Sequence, residues 1–142
     1  MKKVGIINFH YSTHNYGAVL QAAALESYIS TLNYDVEHIN YIPSEEYDSK
    51  LIQLKVNVMK LLNLYKPAEV NGVRNSFVFE QFRNKWITRT KEYRTRKNLI
   101  ELQNKYNSVV VGSDQVWRSE YTAQDTLTYF FDFIGRSTKK IS

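Results

Sequence analysis

Apolar and polar positions alternate along this chain in blocks that predict strands and helices in turn. Lys3 to Phe9 is a short apolar run, the form taken by a first buried strand in an α/β domain. Residues 10–16 are polar and predict a loop. From Gly17 to Leu32 the apolar residues Ala18, Ala22, Leu25, Ile29 and Leu32 recur three or four positions apart, which predicts a helix with one stripe against a sheet. Asn15 is a suitable N-cap for it, and Asn33 suits a left-handed helix stop. Tyr34 to Asn40 predicts a second strand, with Val36, His38 and Asn40 on one side and Asp35, Glu37 and Ile39 on the other. His38 is expected at the surface of this strand, which Pro43 closes.

Helical spacing returns over residues 48–66, ended by Pro67, and again from Asn75 to Trp86, with Val78, Phe79, Phe82 and Trp86 predicted inward. A short helix is predicted over residues 96–105. Asn107 to Val111 is β-branched and cut off by Gly112, as in a buried parallel strand. Tyr129 to Ile134 predicts a strand or extended segment. Strand, helix, strand, helical insert and strand is the order of a Rossmann-like, doubly wound α/β sheet. Residues 1–142 are expected to form a single such domain, incomplete at its end, with a variable helical insert at about 44–105.

Composition narrows the chemistry. The absence of cysteine excludes disulfides, a thiolate nucleophile and any Cys-ligated metal. No stretch approaches the ~18 apolar residues of a membrane span, and the run from Val4 to Phe9 is too short for a signal peptide, so a cytoplasmic chain is expected. Basic residues cluster between Arg74 and Lys97, where only Glu80 and Glu92 oppose them. That zone is either a solvated face or the footprint of an anionic partner. The chain carries no recognisable nucleic-acid module, and none is expected to bind it.

Two segments carry candidate chemistry, because ligands gather at the carboxyl ends of strands in open α/β sheets. Asn15-Tyr16-Gly17 opens the first helix, where free N–H groups favour anions; the competing reading is a helix start that is only capped. Gly112-Ser113-Asp114-Gln115-Val116-Trp117 follows the third strand. Asp114 there is either a base or hydroxyl ligand, or a cap beside a core Trp117. No GxGxxG, P-loop or GxSxG pattern is present. His10 and His14 lack a third ligand, and no metal site is expected.

Val4 to Phe9 followed by Asn15-Tyr16-Gly17-Ala18-Val19-Leu20-Gln21-Ala22, and then Val109 to Trp117, resemble the two N-terminal hallmarks of the polysaccharide pyruvyl transferase family, in the same order. Arg118-Ser119 stands where that family often has Asn-Pro. The resemblance implies a fold like the N-terminal half of a two-domain GT-B-type transferase. It implies transfer of pyruvate from phosphoenolpyruvate to a sugar hydroxyl of a glycan or lipid-linked acceptor, for a surface or extracellular polysaccharide. A C-terminal domain would complete the site, and no cofactor is implied. Matched residue by residue, it carries over Asp114 as a functional residue and Asn15, Tyr16, Gly17, Gln21, Ser113, Gln115 and Trp117 as substrate-binding residues; ketal formation needs a base for the sugar hydroxyl, and Asp114 is the candidate for that catalytic role. The alternatives are a glycosyltransferase-like sugar-binding module or a non-catalytic remnant.

Overall fold

The computed structural model describes residues 1–13, 15–43, 73–112, 114–118, 122 and 125–142; the helix predicted over 48–66, His14 and Ser113 lie outside them. Strand β1 (Lys3–Ile7) leads into helix α1 (Tyr16–Thr31) and strand β2 (Asp35–His38). Helix α2 (Val73–Trp86) and the short helix α3 (Arg96–Leu99), which continues as a 3-10 turn to Leu102, precede strand β3 (Ser108–Val111). A 3-10 turn (Asp114–Trp117), helix α4 (Thr126–Tyr129) and strand β4 (Lys139–Ile141) complete the order. The four strands form one parallel sheet in the order β2-β1-β3-β4, an α/β architecture.

Side-chain alternation splits the core between the two faces of the sheet. Val4, Ile6, Val36 and Val110 lie beneath α1 with Leu25 and Ile29. Ile7, Ile39, Val109 and Val111 face the other way, against Leu99, Leu102, Tyr106 and the aromatics Tyr129, Phe131 and Phe133. Gly5 is where Tyr106 crosses this second face: a Cβ there would meet the ring at 2.9 Å. The chain therefore crosses one face through α1 between β1 and β2, and the other through α3 before β3. The winding reverses between β1 and β3, which is the topological switch point.

Several elements depart from expectation. In α1 the buried positions are Val19, Ala22 and Glu26, while Leu25 and Ile29 are half-buried and Leu32, the residue that caps the helix, is 52% exposed. The stripe is rotated because α1 is covered by α2 as well as by the sheet, with Val19 and Ala22 packed on Phe79 and Ile87. In α2, Val78 and Trp86 turn outward and Phe79, Arg83 and the following Ile87 turn inward, four residues apart. The segment 129–134 is not a strand. Its amides are spent on turns, with Phe130 donating to Leu127 O, Phe131 to Thr128 O and Ile134 to Phe131 O. A short apolar run does not separate a strand from packed turns, and the fourth strand comes instead from Lys139–Ile141. Beyond β2, residues 88–93 run parallel to its outer side, paired His38 to Arg89 and Tyr41 to Tyr93.

Candidate functional site

Ile7 pairs with Val111, so the loops that begin at Asn8 and Gly112 leave adjacent strands side by side at the carboxyl edge. The Gly112 amide donates to Ile7 O at 3.2 Å, and a Cβ on Gly112 would lie 2.5 Å from Leu25 Cδ2. A side chain here would push the end of Leu25 aside, so glycine lets β3 end against α1 with Leu25 as packed. Asn15 caps α1, its Oδ1 accepting from the Ala18 amide at 3.1 Å, and its own amide donates to Ser12 Oγ at 3.0 Å. The loop that leaves β1 thus leads into the capped start of a four-turn helix, which carries the partial positive charge of a helix N-terminus.

The proposed site residues separate into groups. Asn15 and Gly17 sit at the α1 start, and Asp114 opens the 3-10 turn that follows Gly112 at the same edge. Tyr16 is 55% exposed and turns toward α2, its ring 4.4 Å from that of Phe79. Gln21 lies exposed, more than one turn into α1, away from the helix start. Gln115 is half-buried, and Trp117 is exposed beside Phe130 rather than packed in the core.

Beneath the α1 start lies a buried polar network that the sequence patterns do not announce. His10, fully buried, places Nδ1 3.2 Å from Asn8 Oδ1 and Nε2 3.1 Å from Asn40 Oδ1. Its ring centroid is 5.4 Å from that of His38. His38 is not a surface residue: it is fully buried, because α1 and residues 88–90 close over the end of β2. Its Nε2 lies 3.4 Å from Glu26, outside hydrogen-bond geometry, while both Glu26 oxygens accept from the Thr88 amide at 3.0 Å. Burial pushes the His10 imidazole down to about 4 and that of His38 to about 3, so both are neutral. Burial likewise raises the Glu26 carboxyl. Asn8 keeps a buried Nδ2 without a hydrogen-bond partner at the switch point itself. The signal in the sequence is polar residues at same-face positions where two neighbouring strands end, Asn8 and His10 on one, His38 and Asn40 on the other.

Arg83 ties this network to α2. Its Nη1 donates to His10 O at 3.2 Å and Ser12 O at 2.9 Å, and its Nε to Glu80 at 2.8 Å. Arg89 also reaches Glu80, at 2.6 Å. Of the remaining basic zone, Lys91 pairs with Glu101, Arg94 with Glu92 and Arg96 with Asp132. The buried Arg83 and half-buried Arg89 are therefore scaffolding, whereas Lys91, Arg94 and Arg96 make exposed ion pairs, two of them with acids outside the segment. Glu80, Arg89, Asn40 and Thr90 line a polar cleft of about 560 Å³ at the carboxyl end of β2. On the opposite face of the sheet, Tyr41 donates to Asp125 at 2.7 Å and its ring lies 6.4 Å from that of Tyr129. Burial holds the hydroxyls of Tyr11, Tyr41 and Tyr129 in their protonated form.

Among the described residues no three His, Cys, Asp or Glu side chains converge as a metal site, and no helix is long and apolar enough to cross a membrane. Comparison with family models, with curated proteins and with solved structures finds no match to this chain.

Proposed function

We propose that this chain is the N-terminal, Rossmann-like half of a GT-B-type transferase that moves pyruvate from phosphoenolpyruvate to the hydroxyls of a sugar. The observation that carries the reading is that two motif segments follow neighbouring parallel strands. Asn15-Tyr16-Gly17 and Gly112 to Trp117 leave neighbouring parallel strands at one edge, on either side of the switch point. Open α/β sheets bind their ligands there.

The chemistry fits these groups. Phosphoenolpyruvate is an anion, and the capped start of α1 offers amide donors and favourable dipole charge. A proton added to the methylene carbon makes the adjacent carbon electrophilic. One sugar hydroxyl adds there, phosphate leaves, and a second hydroxyl of the same sugar closes the ketal. Each hydroxyl gives up its proton, which requires a base, and Asp114 is assigned that role. Asn15, Tyr16, Gly17, Gln21, Ser113, Gln115 and Trp117 are assigned to substrate binding. The acid that protonates the methylene carbon belongs to the second half of the cleft.

The test is turnover by the natural gene product with phosphoenolpyruvate and a panel of sugar acceptors. Sugar-dependent phosphate release is expected, falling by about 10²-fold or more in Asp114→Asn. Unchanged turnover in that variant removes Asp114 from the chemistry. A sugar-binding module on the same fold is the second reading, favoured by one observation: the exposed aromatic pair Trp117 and Phe130. Saturable sugar binding without any use of phosphoenolpyruvate would select it.

A further inference from the structure

We infer that the corner between Trp117 and Phe130 is the seat of a single pyranose ring. Its role as the acceptor subsite rests on the transferase reading above; the binding itself does not.

The two rings meet edge to face, with centroids 5.0 Å apart and planes at 68°. Trp117 is 42% and Phe130 49% exposed, although Tyr129 and Phe131 beside them are buried. A lone exposed aromatic is ordinary, but an adjoining pair that borders a concavity marks a binding surface. Here the concavity is a cleft of about 150 Å³, walled by Tyr129 and Phe131 and bordered by Lys140, Ile141 and Ser142. It opens where the chain leaves β3 and β4, along the carboxyl edge that also holds the α1 start.

A separate observation is the backbone that presents Phe130. Phe131 has φ 60°, in the left-handed region, at the stop of α4, where glycine is the usual residue. The Asp132 amide closes the turn on Leu127 O at 3.3 Å. The Cβ of a bulky residue crowds the backbone in this region, which makes the conformation unfavourable. The turn sends Phe131 into the core, 3% exposed, and leaves Phe130 outside against Trp117. Local strain of this kind gathers at ligand sites.

The shape selects the ligand. Two rings at 68° make a corner, whereas a flat nucleobase stacks best on parallel planes. A pyranose chair offers C–H groups on its face for the rings and hydroxyls on its rim. Lys140 and Ser142 supply the polar partners at the border of the cleft.

The test uses Trp117 as its own reporter. The chain has two tryptophans, so Trp86→Phe leaves Trp117 as the only tryptophan, excited selectively at the red edge where tyrosine does not absorb. The probes are methyl β-D-glucopyranoside and its galacto and manno epimers, with uridine monophosphate as the nucleobase. A saturable change in emission is expected with at least one glycoside. Phe130→Ala should weaken it about tenfold, the equivalent of 1.4 kcal/mol. Leu127→Ala, also exposed on α4 but outside the cleft, should not change it. No saturable change with any glycoside in the folded protein overturns the inference, as does equal affinity in Phe130→Ala or saturation by the nucleotide alone. In turnover, Phe130→Ala should raise the acceptor KM and leave that of phosphoenolpyruvate unchanged. Unchanged acceptor KM overturns the subsite and leaves the transferase standing. Glycoside binding with no turnover of phosphoenolpyruvate leaves the subsite standing and overturns the transferase.

Discussion

His10 and His38 make the fold sensitive to acid. Both are buried neutral, with folded values of about 4 and about 3, while the unfolded chain takes up protons near pH 6.5. Below that pH the unfolded state binds more protons than the native state, so stability falls as pH falls. The stabilisation is complete above pH 6.5 and is lost toward the folded values, with a slope approaching about 2.7 kcal/mol per pH unit for two groups. Glu26, raised by burial, opposes the loss, and Glu80, held low chiefly by Arg89, adds to it. Urea midpoints measured from about pH 7.5 down to about 4.5 should decline steadily, and a flat profile would contradict the buried neutral pair. Residue-level signals were legible unevenly. Asn15 and Asn33 were readable because capping and left-handed stops depend on local chemistry; Asn33 indeed has φ 62°. His38 was not, because its burial is decided by α1 and residues 88–90, distant in sequence. Arg83 was read as one charge in a basic run, and only the packing of α2 shows it 5% exposed and bonded to two carbonyls.

At the scale of elements, the loop after β1 is held from two directions, by the Asn15 cap of α1 and by Arg83 of α2. Asn15→Ala should cost about 1 kcal/mol of stability and weaken binding of phosphoenolpyruvate. Arg83→Met keeps the length of the side chain but leaves His10 O and Ser12 O without this donor. A loss of about 3 kcal/mol is expected, read as a lower urea midpoint with an unchanged m-value. A change within about 0.5 kcal/mol would show that Arg83 is not the clamp. The strands β1 and β3 and the helix α1 were legible to within two residues at each end, since each is a strongly patterned segment. The segment 129–134 was misread because its apolar residues are buried at nearly alternate positions without joining the sheet. The predicted helix over 96–105 was right at its start, where Thr95 caps it, and too long, because it tightens after Leu99 into a 3-10 turn that ends at Leu102.

For the whole molecule, the parallel sheet and its crossovers on opposite faces bring two segments nearly a hundred residues apart to one edge. That convergence was foreseeable from the order of elements and the rule that ligands lie at carboxyl ends. The polar network beneath it was not, because it is assembled from β1, β2, α1 and α2 together. This edge is proposed as the N-terminal half of a pyruvyl transfer site. The most direct test is mass spectrometry of a glycan acceptor after incubation with the natural gene product and phosphoenolpyruvate. An acceptor heavier by pyruvate less water is expected, formed with one phosphate released per product and strongly reduced in Asp114→Asn. An acceptor of unchanged mass across the panel, with phosphoenolpyruvate intact, would contradict it.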